Sequence, residues 1–397
     1  MTSKDGLKGL VQVEVDREGQ ELVDLSLRIH SHPEIAFQEE LASRWLCDYL
    51  EGKGFAVEHG TTKLPTAFRA QYGAGQPAIA FLAEYDALPG IGHGCGHNII
   101  AASAIGGAVA CRPLVDELGG SIIVLGTPAE EGGGGKILMA QRGAFQGLDV
   151  AMLVHPSGAN RASMQTLARV ILEVEFYGKA AHASARPQEG VNALDALLYS
   201  INAINALRHH IRPNSRIHGI ITKGGDAPNI VPDYTSALFY VRARTNVLLE
   251  ALKERVLSCF RAGALATGAR LEYQWREENR YAPVMPNRAL ARLFGQNLQH
   301  LGRTLTIGIG ENGFGSTDLG NVSLLLPTIQ PTIAIANREM PSHSLDFARA
   351  AASEAGHQGL LDAAKALAMT AADLIADQSL IQQAWDEFHR SLAEARA

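Results

Sequence analysis

Three short runs of apolar residues, separated by helix-forming sequence, constrain this chain more than any other feature. They are Ala78-Ile79-Ala80-Phe81-Leu82-Ala83, Ser121-Ile122-Ile123-Val124-Leu125 and Val150-Ala151-Met152-Leu153-Val154. None shows the polar alternation of a half-exposed strand, so each predicts a strand covered on both faces. Between the first two, Ile99 to Cys111 is rich in alanine and other small residues and reads as a helix that packs closely on a sheet. Strands alternating with helices imply an α/β fold, a mainly parallel sheet with helices on both faces. Upstream, Leu22, Leu25 and Ile29, then Leu41, Trp45, Leu46 and Leu50, recur at helical spacing with an interruption around Pro33. In sheets of this kind functional groups gather beyond the C-terminal ends of the strands.

The texture changes near Ala162. Val170–Phe176 alternates like a half-buried strand, Val191–Arg208 reads as a helix, Ile217–Thr222 and Thr235–Arg244 as strands, Leu248–Gly263 as a helix and Arg270–Trp275 as a strand. This describes an inserted α+β domain over residues 162–283. The α/β character of residues 1–161 resumes over 284–397, with a helix at Ala289–Leu301, a strand at Thr332–Ile335 and one long terminal helix from His357. A chain of 397 residues accommodates two such domains.

Lys and Arg number 35 against 41 Asp and Glu, a formal net charge of -6, which argues against nucleic acid as a partner. No uninterrupted apolar run approaches the ~20 residues of a bilayer-spanning helix. The start, Met1-Thr2-Ser3-Lys4-Asp5-Gly6, lacks the apolar stretch of a secretory signal. The expected setting is therefore cytoplasmic and away from membranes. Four scattered cysteines, Cys47, Cys95, Cys111 and Cys259, make a disulfide framework improbable, so a special cysteine is better read as a ligand or a nucleophile.

The chemistry-bearing residues follow the strands. Glu84-Tyr85-Asp86-Ala87-Leu88-Pro89 and His93-Gly94-Cys95-Gly96-His97-Asn98 come after the first run. A thiolate and an imidazole flanking one glycine can face a single cation, although a short Cys-x-His also occurs as a buried cysteine beside an incidental histidine. After the second run, Glu130-Glu131 precedes four glycines. Adjacent carboxylates point in different directions, so one can bind metal while the other acts as a base; the alternative is an acidic flexible turn. His155 ends the third run and His343 follows the Ile333–Ile335 strand. Either histidine alone is uninformative. Together, Cys95, His97, Glu131, His155 and His343 supply five S, N and O donors, with Glu130 or Asp86 besides, a set that suits two cations such as zinc or manganese.

These motifs resemble the co-catalytic metallohydrolases of the aminoacylase and carboxypeptidase superfamily, peptidase family M-20. The likeness is greatest to the amidohydrolase branch with its auxin-conjugate, hippurate and aminobenzoyl-glutamate hydrolases. The resemblance also takes in Gly178-Lys179-Ala180-Ala181-His182-Ala183, Asn229-Ile230-Val231-Pro232-Asp233 and Ser342-His343-Ser344, and it runs from about His30 to Lys365. It implies a zinc-exopeptidase-like catalytic domain carrying a lid and dimerisation domain, and a homodimer. It implies that Cys95, His97, Glu131, His155 and His343 hold two divalent ions, zinc or manganese, and that Glu130 is the general base. His182 would stabilise the oxyanion, within one chain or across a dimer, and Asn229 would hold a small substrate through its free carboxylate. The wider family often has a His-x-Asp ligand pair where Glu84-Tyr85-Asp86 stands, which leaves the role of Asp86 open. Asn98 replaces an Asp common in the branch and resembles the aminobenzoyl-glutamate hydrolase and dipeptidase subgroup.

The expected activity is metal-dependent hydrolysis of the amide bond in a small N-acyl amino acid or dipeptide-like substrate. Three rivals remain at the level of sequence: an aromatic aminohydrolase on the same scaffold, a cysteine hydrolase using Cys95, and a non-catalytic metal-binding paralogue.

Overall fold

The computed structural model describes residues 4–306 and 315–396. The chain opens with helices α1 (Lys4–His30) and α2 (Glu40–Gly52), strands β1 (Ala56–His59), β2 (Phe68–Ala74) and β3 (Ala78–Ala83), and helices α3 (His97–Ala110) and α4 (Arg112–Leu118). Then come β4 (Gly120–Gly126), α5 (Gly135–Gln141), β5 (Val150–Met152) and β6 (His155–Ser157). Next are β7 (Ala168–Tyr177), α6 (Ala193–Arg208), β8 (Arg216–Lys223), β9 (Tyr234–Ala243), α7 (Asn246–Thr267) and β10 (Arg270–Trp275). The remainder is α8 (Arg288–His300), α9 (Leu319–Val322), β11 (Thr328–Ile329), β12 (Thr332–Ala334), α10 (Leu345–Ala351), α11 (Glu354–Ala376) and α12 (Ser379–Arg396).

The chain divides into two compact units. The first comprises Met1–Gln165, Val284–Gly310 and Asn321–Ala397, and the second Thr166–Pro283 and Glu311–Gly320. Among the described residues, the first unit has a six-stranded sheet in the order β1-β2-β4-β3-β5-β11. Strands β4, β3, β5 and β11 are parallel neighbours, and β1 and β2 extend the sheet antiparallel. Every residue of β3, β4 and β5 is buried, as their unbroken apolar runs require. Helix α3 is buried along its whole length and packs against α1, α11 and β3. Its glycines permit this: a Cβ on Gly106 would stand 2.6 Å from a Leu22 methyl. The stretch His97–Leu118 is apolar and long enough to cross a bilayer by length and composition, yet 89% of that window is buried inside the protein. Its apolar surface is spent on the core.

The second unit is a two-layer α+β arrangement. Its sheet runs β10-β7-β9-β8, all antiparallel. Burial alternates strictly along β9, and α6 and α7 pack on the buried face. Strand β8 is the sheet's outer strand, with Ile220 64% and Ile221 42% exposed.

Two expectations need correction. The single helix from His357 is two helices. Asp377 leaves the helical region at φ -143° and ψ 88°, and its carboxylate accepts from Ser379 N and Ser379 Oγ, starting α12 afresh. His155 does not merely end a strand: it opens β6, which pairs in parallel with β12.

Candidate metal centre

The first unit brings Cys95, His97, Glu130, Glu131, His155 and His343 together. Their ligating atoms form three overlapping groups: Cys95, His97 and His155; Cys95, Glu131 and His343; and His97, Glu130 and Glu131. Within each group the atoms lie within 4.8 Å of one another. Cys95 Sγ is 3.4 Å from His155 Nε2 and 3.6 Å from His343 Nε2. Glu131 Oε1 is 3.6 Å from His343 Nε2 and 3.8 Å from His97 Nε2. Cys95, His97 and Glu131 each join two of the groups, a layout that suits two adjacent cations.

Backbone geometry sets these side chains. Gly96, at φ 76°, turns the chain between Cys95 and His97, and a Cβ there would come within 2.5 Å of the Pro156 ring. Glycine thus lets the Cys95 loop approach the strand that carries His155. Ala129 and His343 are non-glycine residues in the left-handed region, both at φ 60°. Such conformations cost ~1–3 kcal/mol each and persist where neighbours over-determine them. Here Ala129 N donates to Glu39 Oε1 at 2.8 Å, and Glu39 Oε2 accepts from Thr66 Oγ1. His343 N donates to Gly94 O at 2.8 Å. Burial, and Asp86 nearby, push the Glu39 carboxyl up to about 7.

Asp86, whose role the sequence leaves open, has a defined one. Its Oδ1 accepts from His97 Nδ1 at 3.0 Å and its Oδ2 accepts from Glu131 N at 2.9 Å. A carboxylate can only accept here, so His97 carries a proton on Nδ1, and Nε2 is the ring atom left to meet a cation. His155 is fixed in the same way, with Nδ1 donating to Pro156 O at 2.7 Å and Nε2 facing Cys95. Burial and the neighbouring His97 hold His155 down to about 4, so it is neutral, the state in which imidazole binds a metal.

Two further buried groups have no role assigned by the sequence. Glu84 directly follows β3, and Lys136, in the first turn of α5, sets Nζ 2.6 Å from Glu84 Oε1. Glu84 Oε2 is 3.6 Å from His97 Nε2.

The donors fit divalent cations. His97 Nε2 and Glu131 Oε1 are buried and take no hydrogen bond. Burial disfavours a charged His97, yet Asp86 and Cys95 outweigh it and raise the imidazole well above its ordinary range, so the surroundings favour positive charge at this point. Burial and Glu131 push the Cys95 thiol far up, so it is no ready thiolate nucleophile; a bound cation would deprotonate it outright.

His182 and Asn229 belong to the second unit, where the fold sets them side by side. Ala183 N donates to Asn229 O at 3.0 Å, Val231 N donates to Ala181 O at 3.0 Å, and His182 pairs with Ile230 in an isolated bridge. Both residues are exposed. His182 Nδ1 accepts from Ser184 N and Ala185 N, which leaves Nε2 to carry the ring proton.

Comparison with known proteins follows this geometry. Residues 164–267 match the peptidase dimerisation domain of M20 proteins. The chain is 39% identical to the Xaa-Arg dipeptidase of Mus musculus, over 98% of this chain and 93% of that protein. The chain belongs to the M20 peptidase family. It is also 30% identical to a p-aminobenzoyl-glutamate hydrolase component of Escherichia coli, over 97% of this chain and 94% of that protein. A Bacillus subtilis crystal structure described as a dinuclear metal-binding peptidase of the M20 family superposes with a TM-score of 0.69. It shares 19% identity and covers 91% of this chain and 99% of its own. Like other M20 peptidases this chain is a hydrolase, and its chemistry is metal-dependent amide hydrolysis.

Asparagine at position 86 could accept one of the two hydrogen bonds that Asp86 accepts, but not both. Asp86→Asn should therefore lower divalent-metal affinity by ~10–100-fold, the usual cost of losing such an orienting partner. Competition with a fluorescent chelator measures it, and an affinity equal to the parent's would show that Asp86 does not organise the centre.

Proposed function

We propose that this M20 protein cleaves the amide bond of a dipeptide or N-acyl amino acid with a free carboxylate, using Glu130 as general base beside two divalent ions. The observation that carries the proposal is the convergence of Cys95, His97, Glu131, His155 and His343, with the buried Glu130 grouped with His97 and Glu131. Those five residues would hold the ions, and the thiolate with two or three imidazoles favours zinc, with manganese the alternative. Such ions supply Lewis acidity when bound, polarising a carbonyl and making water acidic. Glu130 takes the proton of the attacking water and returns it to the leaving amine nitrogen. His182, through its Nε2–H, donates to the carbonyl oxygen as charge develops, and Asn229 holds the substrate carboxylate. The relatives that are named Xaa-Arg dipeptidase and aminobenzoyl-glutamate hydrolase make basic dipeptides and aroyl-glutamates the first compounds to assay.

The raised Cys95 thiol speaks against a cysteine hydrolase. Released amino acid rather than free ammonia separates amide hydrolysis from the aminohydrolase alternative.

The two adjacent glutamates should behave differently. Glu130→Gln should keep its metal and its fold while losing turnover by ~10²–10⁴-fold, the contribution of a general base. Glu131→Gln should instead lose metal. Metal analysis beside turnover numbers checks both, and the reverse pattern would exchange the two roles.

His182→Ala should bind metal as the parent does and lose ~10²–10³ in kcat, with little change in KM, because its donor acts mainly at the transition state. A kcat within about threefold of the parent's, less than ~1 kcal/mol, would make this histidine a spectator.

We further propose a homodimer built through the second unit. The match to a dimerisation domain and the exposed isoleucines of the outer strand β8 support it. Sedimentation velocity should give a dimer at micromolar concentration that Ile220→Lys weakens; a monomeric parent would defeat the proposal.

A further inference from the structure

We infer that Lys136 and Glu84 form an internal charge pair that sets how tightly the centre holds its ions, Glu84 strengthening the grip and Lys136 relaxing it. This rests on the metal-centre reading above and goes beyond it, because neither residue is among the proposed ligands.

Both side chains are removed from water, with Lys136 0% and Glu84 1% exposed. Desolvating two charges is costly, and a buried pair is weak evidence of a gain in stability over an apolar pair of the same size. The location of this pair gives it another use. Glu84 lies lengthwise between Lys136 and a ligand: Oε1 is 2.6 Å from Lys136 Nζ, and Oε2 is 3.6 Å from His97 Nε2, the nitrogen left open for a cation.

The backbone is shaped to bring the ammonium in. Gly134 takes φ 66°, and a Cβ on Gly135 would stand only 1.9 Å from Pro128 O. Helix α5 therefore begins directly against the segment leading into Glu130 and Glu131, and its second residue, Lys136, is carried inside. Gly134 and Gly135, the last two of the four glycines after the paired glutamates, thus position a buried cation.

Charge at this distance acts on a bound cation with a defined sign. Removing the Lys136 charge leaves Glu84 uncompensated beside His97 and should tighten metal binding. Removing the Glu84 charge takes a negative charge from beside His97 and should loosen it. Removing both restores the balance.

The test is Zn²⁺ affinity of the full-length apo protein, measured by competition with a fluorescent chelator, for the parent, Lys136→Met, Glu84→Gln and the double variant. Each apo protein is checked by circular dichroism and thermal melting. We expect Lys136→Met to bind about tenfold tighter or more, Glu84→Gln about tenfold weaker or more, and the double variant within about threefold of the parent. If Lys136→Met does not fold, Glu84→Gln against the double variant still reports the contribution of Lys136. Affinities all within twofold of the parent's, with melting lowered only in the single variants, would make the pair a structural one and overturn the inference. Weaker binding in Glu84→Gln and the double variant alike would make Glu84 a ligand and remove Lys136 from the account. A parent that takes up no zinc would instead overturn the metal-centre reading.

Discussion

The Asp86 carboxylate is the hinge of the centre. One oxygen fixes the tautomer and orientation of His97, and the other accepts the backbone N–H of Glu131. Two candidate ligands from separate loops, one after β3 and one after β4, are thus referred to one rigid group at the end of a fully buried strand. β3 lies between β4 and β5 in the parallel part of the sheet and is hydrogen-bonded on both edges. The centre inherits that rigidity through Asp86.

Around this group the backbone accepts local strain. Ala129 and His343 sit in a conformation that non-glycine residues rarely adopt, and each is held by a hydrogen bond to another segment, at Glu39 and at Gly94. Glu39 is a second buried acid of the Asp86 kind. It touches no proposed ligand but secures the residue just before Glu130. The strain is sustainable because the unit's core is large: α3 is buried throughout and is wedged against α1 and α11.

The sequence exposes those parts of the fold where periodicity has one meaning. β3 and β10 fall at their expected bounds, because an unbroken apolar run and an alternating run each end at a polar or glycine boundary. Strand β1 is not legible because it is mostly exposed, whereas β2 does carry a strand signal, Phe68, Ala70 and Tyr72 alternating with Arg69, Gln71 and Gly73. The α11–α12 break is hidden because helical periodicity continues through Asp377, whose side chain works as a cap. Within the site, the six residues of the cluster are legible because their types are unusual at strand ends. Asp86 can be named but given no role, since its function lies in two hydrogen bonds across the fold. Glu84 belongs to a motif but is given no role, and Lys136 escapes notice, because a glutamate and a lysine near loops ordinarily lie in solvent. Only the structure reveals that both are inside.

The distribution of burial matches the division of chemistry proposed for the two units. A cation site benefits from being dry, because low dielectric strengthens every ligand interaction and each unpaired buried donor favours occupancy. His97 and Cys95 are accordingly buried, and only His343 among the proposed ligands is half exposed. Groups that must meet a substrate arriving from solvent face the opposite requirement, since a donor already satisfied inside the protein has nothing left to offer. The exposed His182 has its Nδ1 occupied by two backbone N–H groups, which leaves the proton on Nε2, and its loop is tied by hydrogen bonds to the one that carries Asn229. Its local partners fix the tautomer without consuming the donor. That arrangement is of no use to a metal ligand, which needs an unprotonated nitrogen facing inward, and it is the one an oxyanion donor needs. Different neighbours thus orient the two rings, Asp86 at His97 and the Ser184 and Ala185 N–H groups at His182, as the different tasks proposed for them require.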